Sequence, residues 1–232
     1  MSNQTDLSII LPAYLEEENL RLLLPRIKDV CNQLTPNFEI LVIDTENPMD
    51  GTSAACKEFA VNYINRSGAN TYGAAIRTGI SRANGKKMIF MDADGSHHPE
   101  FIKKLYAEKD SHDIVIASRY IKGGNTENSK LLILMSRIVN IGFSIVLGIK
   151  CKDVSNSFKL YNSKTLKELN LECDNFDIVE EILYKMIKAN KEIKILEIPF
   201  SFKQRMFGET KRNLSAFILT YVYTLIRLRL MK

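Results

Sequence analysis

The alternation of short apolar runs with helical patterns is the feature that most limits the fold of this chain. Apolar runs of strand length occur at residues 7–12 (LSIILP), 38–44 (FEILVID), 87–92 (KMIFMD), 113–120 (DIVIASRY) and 192–202 (EIKILEIPFSF). Helical patterns cover about residues 16–34, 53–60 and 74–83 between the first three runs. The sequence therefore predicts an α/β fold in which helices flank a mostly parallel central sheet.

Three charged residues stand at or just past the ends of predicted strands. They are Asp44, Asp92 and Arg119. In open parallel sheets, ligands bind beyond the carboxyl ends of the strands. We therefore expect one site to gather these three side chains.

The pair Asp92 and Asp94 directly follows an apolar strand, in the segment MIFMDADGSHH. In an extended segment, residues i and i+2 point to the same side, so both carboxylates can reach one point. Hard oxygen donors of this kind suit Mg²⁺ or Mn²⁺ bridging to a diphosphate. Zinc is less favoured, because the adjacent His97 and His98 point apart and no cysteine stands at ligand spacing.

A phosphatase of the haloacid-dehalogenase type is an alternative for the same pair. In such enzymes an apolar strand is followed by Asp-x-Asp, whose first aspartate attacks phosphorus. They carry this motif near the N-terminus and need a later acidic pair for Mg²⁺. In this chain strand–helix units precede Asp92, and no later predicted strand ends in paired acids. The phosphatase interpretation is kept as an alternative.

The overall charge limits the partners. The chain has 232 residues, a net charge of +5 and a pI near 8.9. This modest excess argues against general nucleic-acid binding and suits a phosphate-bearing partner, either a membrane surface or a small anion.

Residues 1–212 are predicted to form a single catalytic domain, followed by an apolar and basic helix over residues 213–232.

Two apolar segments raise the question of a membrane. Residues 131–149 form one long apolar helical pattern that contains Arg137, and a central arginine makes a transmembrane helix unfavourable. The later stretch 214–226 is too short to span a bilayer, and basic residues follow it. The last helix is therefore predicted to lie on a membrane surface or to dock on protein. The start of the chain lacks signal-peptide features, which predicts a cytoplasmic protein, peripheral on the cytoplasmic face of a membrane.

Taken together, the motifs resemble the family-2 type of inverting nucleotide-sugar glycosyltransferases, and within it the dolichol-phosphate mannosyltransferase group. The segments that carry the resemblance are LPAYLEEENL (11–20), LVIDTENPMDGT (41–52), YGAAIRTGI (72–80), MDADGSHHPEFI (91–102), IASRYIKGG (116–124), SRIVN (136–140), DVSNSFKLY (153–161) and FKQRMFGETK (202–211). The resemblance implies a GT-A-like nucleotide-sugar-binding fold. Leu15, Thr45 and Asn156 depart from the residues that the family has at these positions.

The resemblance also implies roles for individual residues. The donor nucleotide sugar would contact residues of three strand ends and one late loop: Pro12, Tyr14, Glu16, Asp44, Asp92, Ala93, Asp94, Arg205 and Lys211. Of these, Asp92 and Asp94 would also hold the metal and act in catalysis. Arg119 and Arg137 would be catalytic residues that bind the acceptor phosphate.

The implied reaction transfers a hexose, with inversion, to a polyprenyl or dolichyl phosphate. Mannose from GDP-mannose is the first expectation for the donor, and a UDP-hexose is the second. An acceptor phosphate is already anionic and needs no general base, whereas a hydroxyl of a surface glycan needs one. Asp153 is the candidate base for a hydroxyl acceptor, and otherwise a structural partner for an arginine.

Overall fold

A seven-stranded mixed sheet forms the centre of the protein, as seen in a computed structural model that describes residues 5–208 and 214–230. The strands are β1 (Leu7–Pro12), β2 (Phe38–Asp44), β3 (Asn62–Asn65), β4 (Lys87–Phe90), β5 (Ile114–Ser118), β6 (Asn125–Thr126), β7 (Lys159–Asn162), β8 (Ile195–Pro199) and β9 (Ser201–Phe202). The helices are α1 (Glu17–Asn32), α2 (Thr52–Glu58), α3 (Tyr72–Arg82), α4 (Ile102–Ala107), α5 (Lys130–Leu147), α6 (Ser163–Lys167), α7 (Ile178–Ala189) and α8 (Leu214–Leu230).

The strand order β3-β2-β1-β4-β7-β5-β8 confirms the predicted α/β class with a mostly parallel sheet. Only β7 runs antiparallel to its neighbours β4 and β5. Strands β3 and β7 were not predicted from the sequence, because they have four residues each and carry little periodic signal. A small second sheet pairs β6 with β9.

The central strand β1 shows why these apolar runs form a buried sheet. Leu7, Ile9 and Leu11 point into one hydrophobic core, and Ile10 points into the other. Leucines and Ile27 of α1 cover the first face, while α3 and α7 cover the second. A side-chain carbon at Gly79 of α3 would lie 2.5 Å from the Ile10 side chain, so glycine permits this close packing.

The two apolar helices pack on each other at one side of the sheet. Phe143 of α5 and Tyr221 of α8 meet edge to face with ring centroids 5.9 Å apart, and both are buried. Thr224 of α8 donates a hydrogen bond to Asp177 at the start of α7. The predicted last helix therefore exists and docks on the protein. The boundary proposed near residue 212 lies outside the described residues and stays a prediction.

The same helices present apolar side chains to solvent. Exposed residues of α5 are Leu131, Leu132, Leu134, Ile138, Ile141, Ile145 and Val146, and those of α8 are Val222, Tyr223, Ile226 and Leu230. In the described part of the chain, α5 is the one helix long and apolar enough to cross a membrane. This finding rests on length and composition alone, and a helix that lies on a membrane surface has the same two properties.

Candidate active site

Asp92 and Asp94 lie in a tight turn that follows β4 at the carboxyl edge of the sheet. The Asp92 carboxylate accepts hydrogen bonds from the Ser157 hydroxyl (2.9 Å) and the Tyr72 hydroxyl (3.4 Å). The Asp94 carboxylate accepts from the Ser96 backbone N–H (3.0 Å) and hydroxyl (2.6 Å). Gly95, which lies between Asp94 and Ser96, has φ +84°, which glycine adopts without strain. The two carboxylates of this turn are therefore each fixed by their own hydrogen bonds.

His97 is fully buried and makes a hydrogen bond with the backbone of this turn. Its Nδ1 accepts the backbone N–H of Asp92 at 2.9 Å, and its ring stacks on Phe158 with centroids 4.7 Å apart. Burial lowers the pKa of His97, which keeps the imidazole neutral. Because Nδ1 accepts a hydrogen bond, the neutral ring carries its proton on Nε2, and neither nitrogen offers a free lone pair to zinc. His97 therefore positions the turn.

The expected nucleotide contacts lie along the same edge. Pro12 ends β1 and is followed by the exposed Tyr14, while Asp44 ends β2. The buried Asp44 accepts a hydrogen bond from the Tyr63 hydroxyl at 3.0 Å. Ala93 is buried between the two aspartates. The residues that follow three different strands are thus gathered at one edge, as the strand-end argument predicted.

Of the three departures from the family pattern, Asn156 and Thr45 make local hydrogen bonds, whereas Leu15 has an unfavourable backbone conformation. Leu15 has φ +56°, a left-handed conformation that asparagine adopts far more easily than leucine. Asn156 is buried, and its amide donates to the Ala117 carbonyl while its oxygen accepts from the Phe158 N–H at 3.3 Å. The Thr45 hydroxyl donates to the Asn47 carbonyl at 2.6 Å and so shapes the loop after β2.

A loop after β9 crosses from the carboxylate turn to the start of α1. Met206 N–H donates to the Asp94 carbonyl at 2.9 Å, and the Arg205 guanidinium pairs with the Glu16 carboxylate at 2.6 Å. Burial raises the pKa of Glu16. Asn19 and Arg205 oppose this rise, and the charge of nearby Asp94 adds to it. The structure thus brings Arg205 and Glu16 together, whereas Lys211 lies outside the described residues.

Arg119 and Asp153 form a buried ion pair at the end of β5. The Asp153 carboxylate is fully buried and accepts the Arg119 backbone N–H (2.7 Å), Nε (2.8 Å) and Nη2 (2.7 Å). Burial alone would lower the pKa of Arg119, but Asp153 outweighs it and the pKa is raised. This bidentate pair holds Asp153 as the partner of an arginine.

Arg137 stands on α5 beside a groove of about 350 Å³ that is lined mostly by apolar side chains. Tyr120 also lines this groove, and its ring centroid lies 5.6 Å from the Arg137 guanidinium carbon and 5.0 Å from that of Arg119. Both distances are within cation–π range. The two predicted acceptor arginines therefore contact the same aromatic ring next to an apolar groove.

Two serines that sequence reasoning did not assign, Ser155 and Ser157, join these two halves of the site. The segment before β7 carries Asp153 and Ser155, which bind Arg119, and Ser157, which binds Asp92. Because β7 is antiparallel to β4 and β5, this segment enters the sheet between them at their carboxyl edge. The signal in the sequence was the run of short polar residues in DVSNSF, but only the insertion of β7 reveals its neighbours.

The carboxylate turn fits a divalent cation by its donor chemistry. Mg²⁺ is commonly held by one or two carboxylates together with substrate phosphates and water. Within residues 5–208 and 214–230, no group of three or more His, Cys, Asp and Glu side chains would enclose a metal. Two carboxylates that need a diphosphate to complete the coordination match that pattern.

The seven-stranded mixed sheet with its flanking helices and the carboxylate turn after β4 define the class as a GT-A-type α/β fold. A family model for glycosyl transferase family 2 matches residues 8–169. The chain belongs to glycosyl transferase family 2, which confirms the resemblance and the enzyme class. It also decides against the phosphatase interpretation.

Curated relatives narrow the likeness further. The chain is 35% identical to "Dolichol-phosphate mannosyltransferase" of Pyrococcus furiosus over 217 residues, which cover 88% of this chain and 58% of that protein. It is 30% identical to "Polyprenol monophosphomannose synthase" of Mycolicibacterium smegmatis, over 88% of this chain and 80% of that protein. "Undecaprenyl-phosphate mannosyltransferase" of Micrococcus luteus is also 30% identical, over 88% and 86% respectively. The chain thus spans less than two thirds of the Pyrococcus protein.

Solved structures share the fold. Glucosyl-3-phosphoglycerate synthase from Mycobacterium tuberculosis, in complex with Mn²⁺, UDP and glucosyl-3-phosphoglycerate, superposes with a TM-score of 0.75 at 16% identity. The match covers 98% of this chain and 81% of that one. The same synthase was also solved with Mg²⁺ and UDP, with a TM-score of 0.73. At this identity the likeness supports the fold alone.

Proposed function

We propose that this protein transfers mannose, with inversion, from GDP-mannose to a polyprenyl or dolichyl phosphate. The three curated relatives described above carry names of polyprenyl-phosphate mannose transfer, and the motifs resemble that group. A UDP-hexose is the second candidate donor. The observation that supports the phosphate acceptor most directly is the buried Arg119–Asp153 pair.

That pair argues against a hydroxyl acceptor. A hydroxyl must lose a proton as it attacks, so it requires a base within hydrogen-bond reach. Asp153, the candidate for that role, is fully buried and binds Arg119 through three hydrogen bonds. A phosphate monoester is already anionic and requires cations that hold it. Arg119 and Arg137, beside the apolar groove, suit a phosphate attached to an isoprenoid chain.

The donor side would be built from the strand-end residues. The nucleotide would lie along the edge formed by Pro12, Tyr14, Glu16 and Asp44, with the diphosphate toward Asp92 and Asp94. Mg²⁺ or Mn²⁺, when bound at this turn, would neutralise the charge that develops on the leaving diphosphate. Arg205 now pairs with Glu16 and lies within the loop that contacts Asp94 through Met206. The family resemblance implies that this guanidinium faces the diphosphate when the donor is bound.

We further propose that the protein is peripheral on the cytoplasmic face of a membrane. The exposed Ile141 and Ile145 of α5 line the groove next to Arg137, and α8 packs on α5 and exposes further apolar side chains. Arg227 and Arg229 stand at the end of α8. Apolar area with flanking cations is the pattern of an interfacial surface on anionic lipid. A membrane protein partner covering the same helices is the alternative.

The test is a donor and acceptor screen. Purified protein with Mn²⁺ is incubated with labelled GDP-mannose, UDP-glucose or UDP-galactose and with either a polyprenyl phosphate or the matching polyprenol. We expect a labelled product in the organic phase only with the phosphate acceptor, and most product with GDP-mannose. Product on the polyprenol, but none on the phosphate, would contradict the proposal.

Arg137→Ala separates acceptor from donor binding in the same assay. We expect the KM for the polyprenyl phosphate to rise about tenfold or more, as for loss of one charged hydrogen bond, while nucleotide-sugar binding is unchanged. The matched control is Arg82→Ala, which removes an exposed arginine at the end of α3, away from the carboxyl edge. Equal loss of donor binding in Arg137→Ala would place this arginine on the wrong side of the site.

A further inference from the structure

Asn140 is a buried polar residue inside the otherwise apolar helix α5. Its side-chain amide donates to the Ser136 carbonyl at 2.8 Å and to the Ser155 hydroxyl at 3.1 Å. Its side-chain oxygen accepts the backbone N–H of Ser155 at 2.9 Å. Asn140 therefore uses both ends of its amide to join α5 to the segment before β7.

Ser155 continues this connection to the acceptor arginines. Its hydroxyl accepts a hydrogen bond from Nη2 of Arg119 at 3.0 Å. The same Nη2 binds Asp153 at 2.7 Å, so Ser155 contributes a second point that fixes the orientation of the guanidinium. A continuous chain of hydrogen bonds thus runs from α5 through Asn140 and Ser155 to Arg119.

Arg137 stands three residues before Asn140, and residues at this spacing are neighbours on one side of a helix. A connection that sets the position of Asn140 therefore also sets that of the Arg137 backbone. We propose that Asn140 and Ser155 are positioning residues that hold Arg119 and Arg137 at the spacing required for one acceptor phosphate. This inference rests on the proposed function, because it assumes a phosphate between those arginines.

The hydrogen bonds of Asn140 give this buried polar residue a role beyond packing. Phe143 is the other buried residue of α5 and already packs the helix against the core. An apolar residue at 140 would leave the Ser155 N–H without its acceptor, so the serine whose hydroxyl binds Arg119 would lose its connection to α5. The network thus serves the geometry of the two cations in addition to the packing of α5.

The experiment uses the full chain and four variants: Asn140→Ala, Ser155→Ala, the double variant and Asn162→Ala. Asn162 caps α6 through a 3.1 Å hydrogen bond and lies where β7 pairs with the first residue of β4, at the sheet edge opposite the carboxylate turn. It is the control for a similar small loss of stability without contact with the arginines. The KM for a polyprenyl phosphate, the KM for the donor, kcat and Tm are measured for each. Binding of a short, soluble isoprenyl phosphate is measured by calorimetry without donor.

We expect Asn140→Ala and Ser155→Ala each to raise the acceptor KM and the Kd for the isoprenyl phosphate about tenfold, which corresponds to about 1.4 kcal/mol. The donor KM should change less than about twofold. The double variant should be little worse than either single one, because both break the same connection. Asn162→Ala should lower Tm slightly and leave acceptor binding unchanged.

Two results would overturn the inference while leaving the proposed function intact. One is wild-type acceptor affinity in Asn140→Ala and Ser155→Ala. The other is an equal rise in donor and acceptor KM in step with a lower Tm, which would indicate general loosening of α5. If the wild type itself neither binds the isoprenyl phosphate nor transfers to any polyprenyl phosphate, the proposed function fails and this inference fails with it.

Discussion

Replacing Asp153 with asparagine distinguishes a structural carboxylate from a general base. Asp153 is fully buried, and Arg119 donates three hydrogen bonds of 2.7–2.8 Å to it. Asparagine keeps one oxygen acceptor but removes the charge and turns an amide N–H₂ toward the guanidinium. The Arg119 guanidinium is then left in a buried position without a counter-charge.

The expected cost follows from this burial. Removing one partner of a buried ion pair costs about 3–5 kcal/mol, and the remaining acceptor places this variant near the lower end. For a domain of this size, about 3 kcal/mol corresponds to a fall of about 6–12 °C in Tm. Domains are commonly stable by about 5–15 kcal/mol, so the variant should remain folded at 25 °C. Its acceptor KM should rise while kcat at saturating acceptor is largely retained.

The assay combines thermal denaturation with the pH profile of turnover. The matched control is Asp174→Asn, which breaks an Arg77–Asp174 pair of 2.6 Å whose aspartate side chain is 60% exposed. A surface pair of this kind contributes less than about 1 kcal/mol. The reasoning is refuted if Asp153→Asn loses no more Tm than the control. It is also refuted if the folded variant has no turnover at saturating acceptor, which is the behaviour of a missing base.

Three further predictions concern other parts of the molecule. Asp94→Ala should abolish metal-dependent turnover with little change in Tm, and a Mn²⁺ titration that still activates the variant would contradict the metal assignment. Burial raises the pKa of Glu180 to about 8 from 4.5, with Lys159 opposing, so its folded form keeps a proton that the unfolded chain releases. The stability that protonated Glu180 contributes is full below about pH 4.5 and is lost as the pH rises through 8. The Tm, measured from pH 6 to 9, should therefore fall less steeply with pH for Glu180→Gln than for the wild type. Equal slopes of Tm against pH would count against this prediction. Leu15→Asn should raise Tm by about 2–4 °C, because relief of the left-handed leucine gives about 1 kcal/mol, and an unchanged or lower Tm would show that Leu15 is not strained there.

The gathering of charged residues at the carboxyl edge of the sheet could be predicted from sequence. Asp44, Asp92 and Arg119 follow strands, and parallel strands end at one edge, so local patterns were enough to place them together. The Asp-x-Asp spacing by itself implied two converging carboxylates. The role of His97 could not be read in this way, because its contact with the Asp92 backbone depends on how the turn folds.

The choice between structural partner and base for Asp153 was open in the sequence. It depends on the distance to Arg119, and those residues are 34 positions apart with α5 between them. The contact of Tyr120 with both arginines depends on how α5 packs. The pairing of Glu16 with Arg205 joins residues 189 positions apart.

The sequence by itself determined the layered α/β architecture, because apolar periodicity and turn residues act over a few neighbouring positions. It also determined the chemistry offered at the strand ends, since carboxylates and guanidinium groups keep their character in any fold. Only the tertiary structure decided which of these groups meet. The antiparallel insertion of β7 between β4 and β5 brings the segment 153–157 to both Asp92 and Arg119, and that contact arises from strand pairing across the whole sheet.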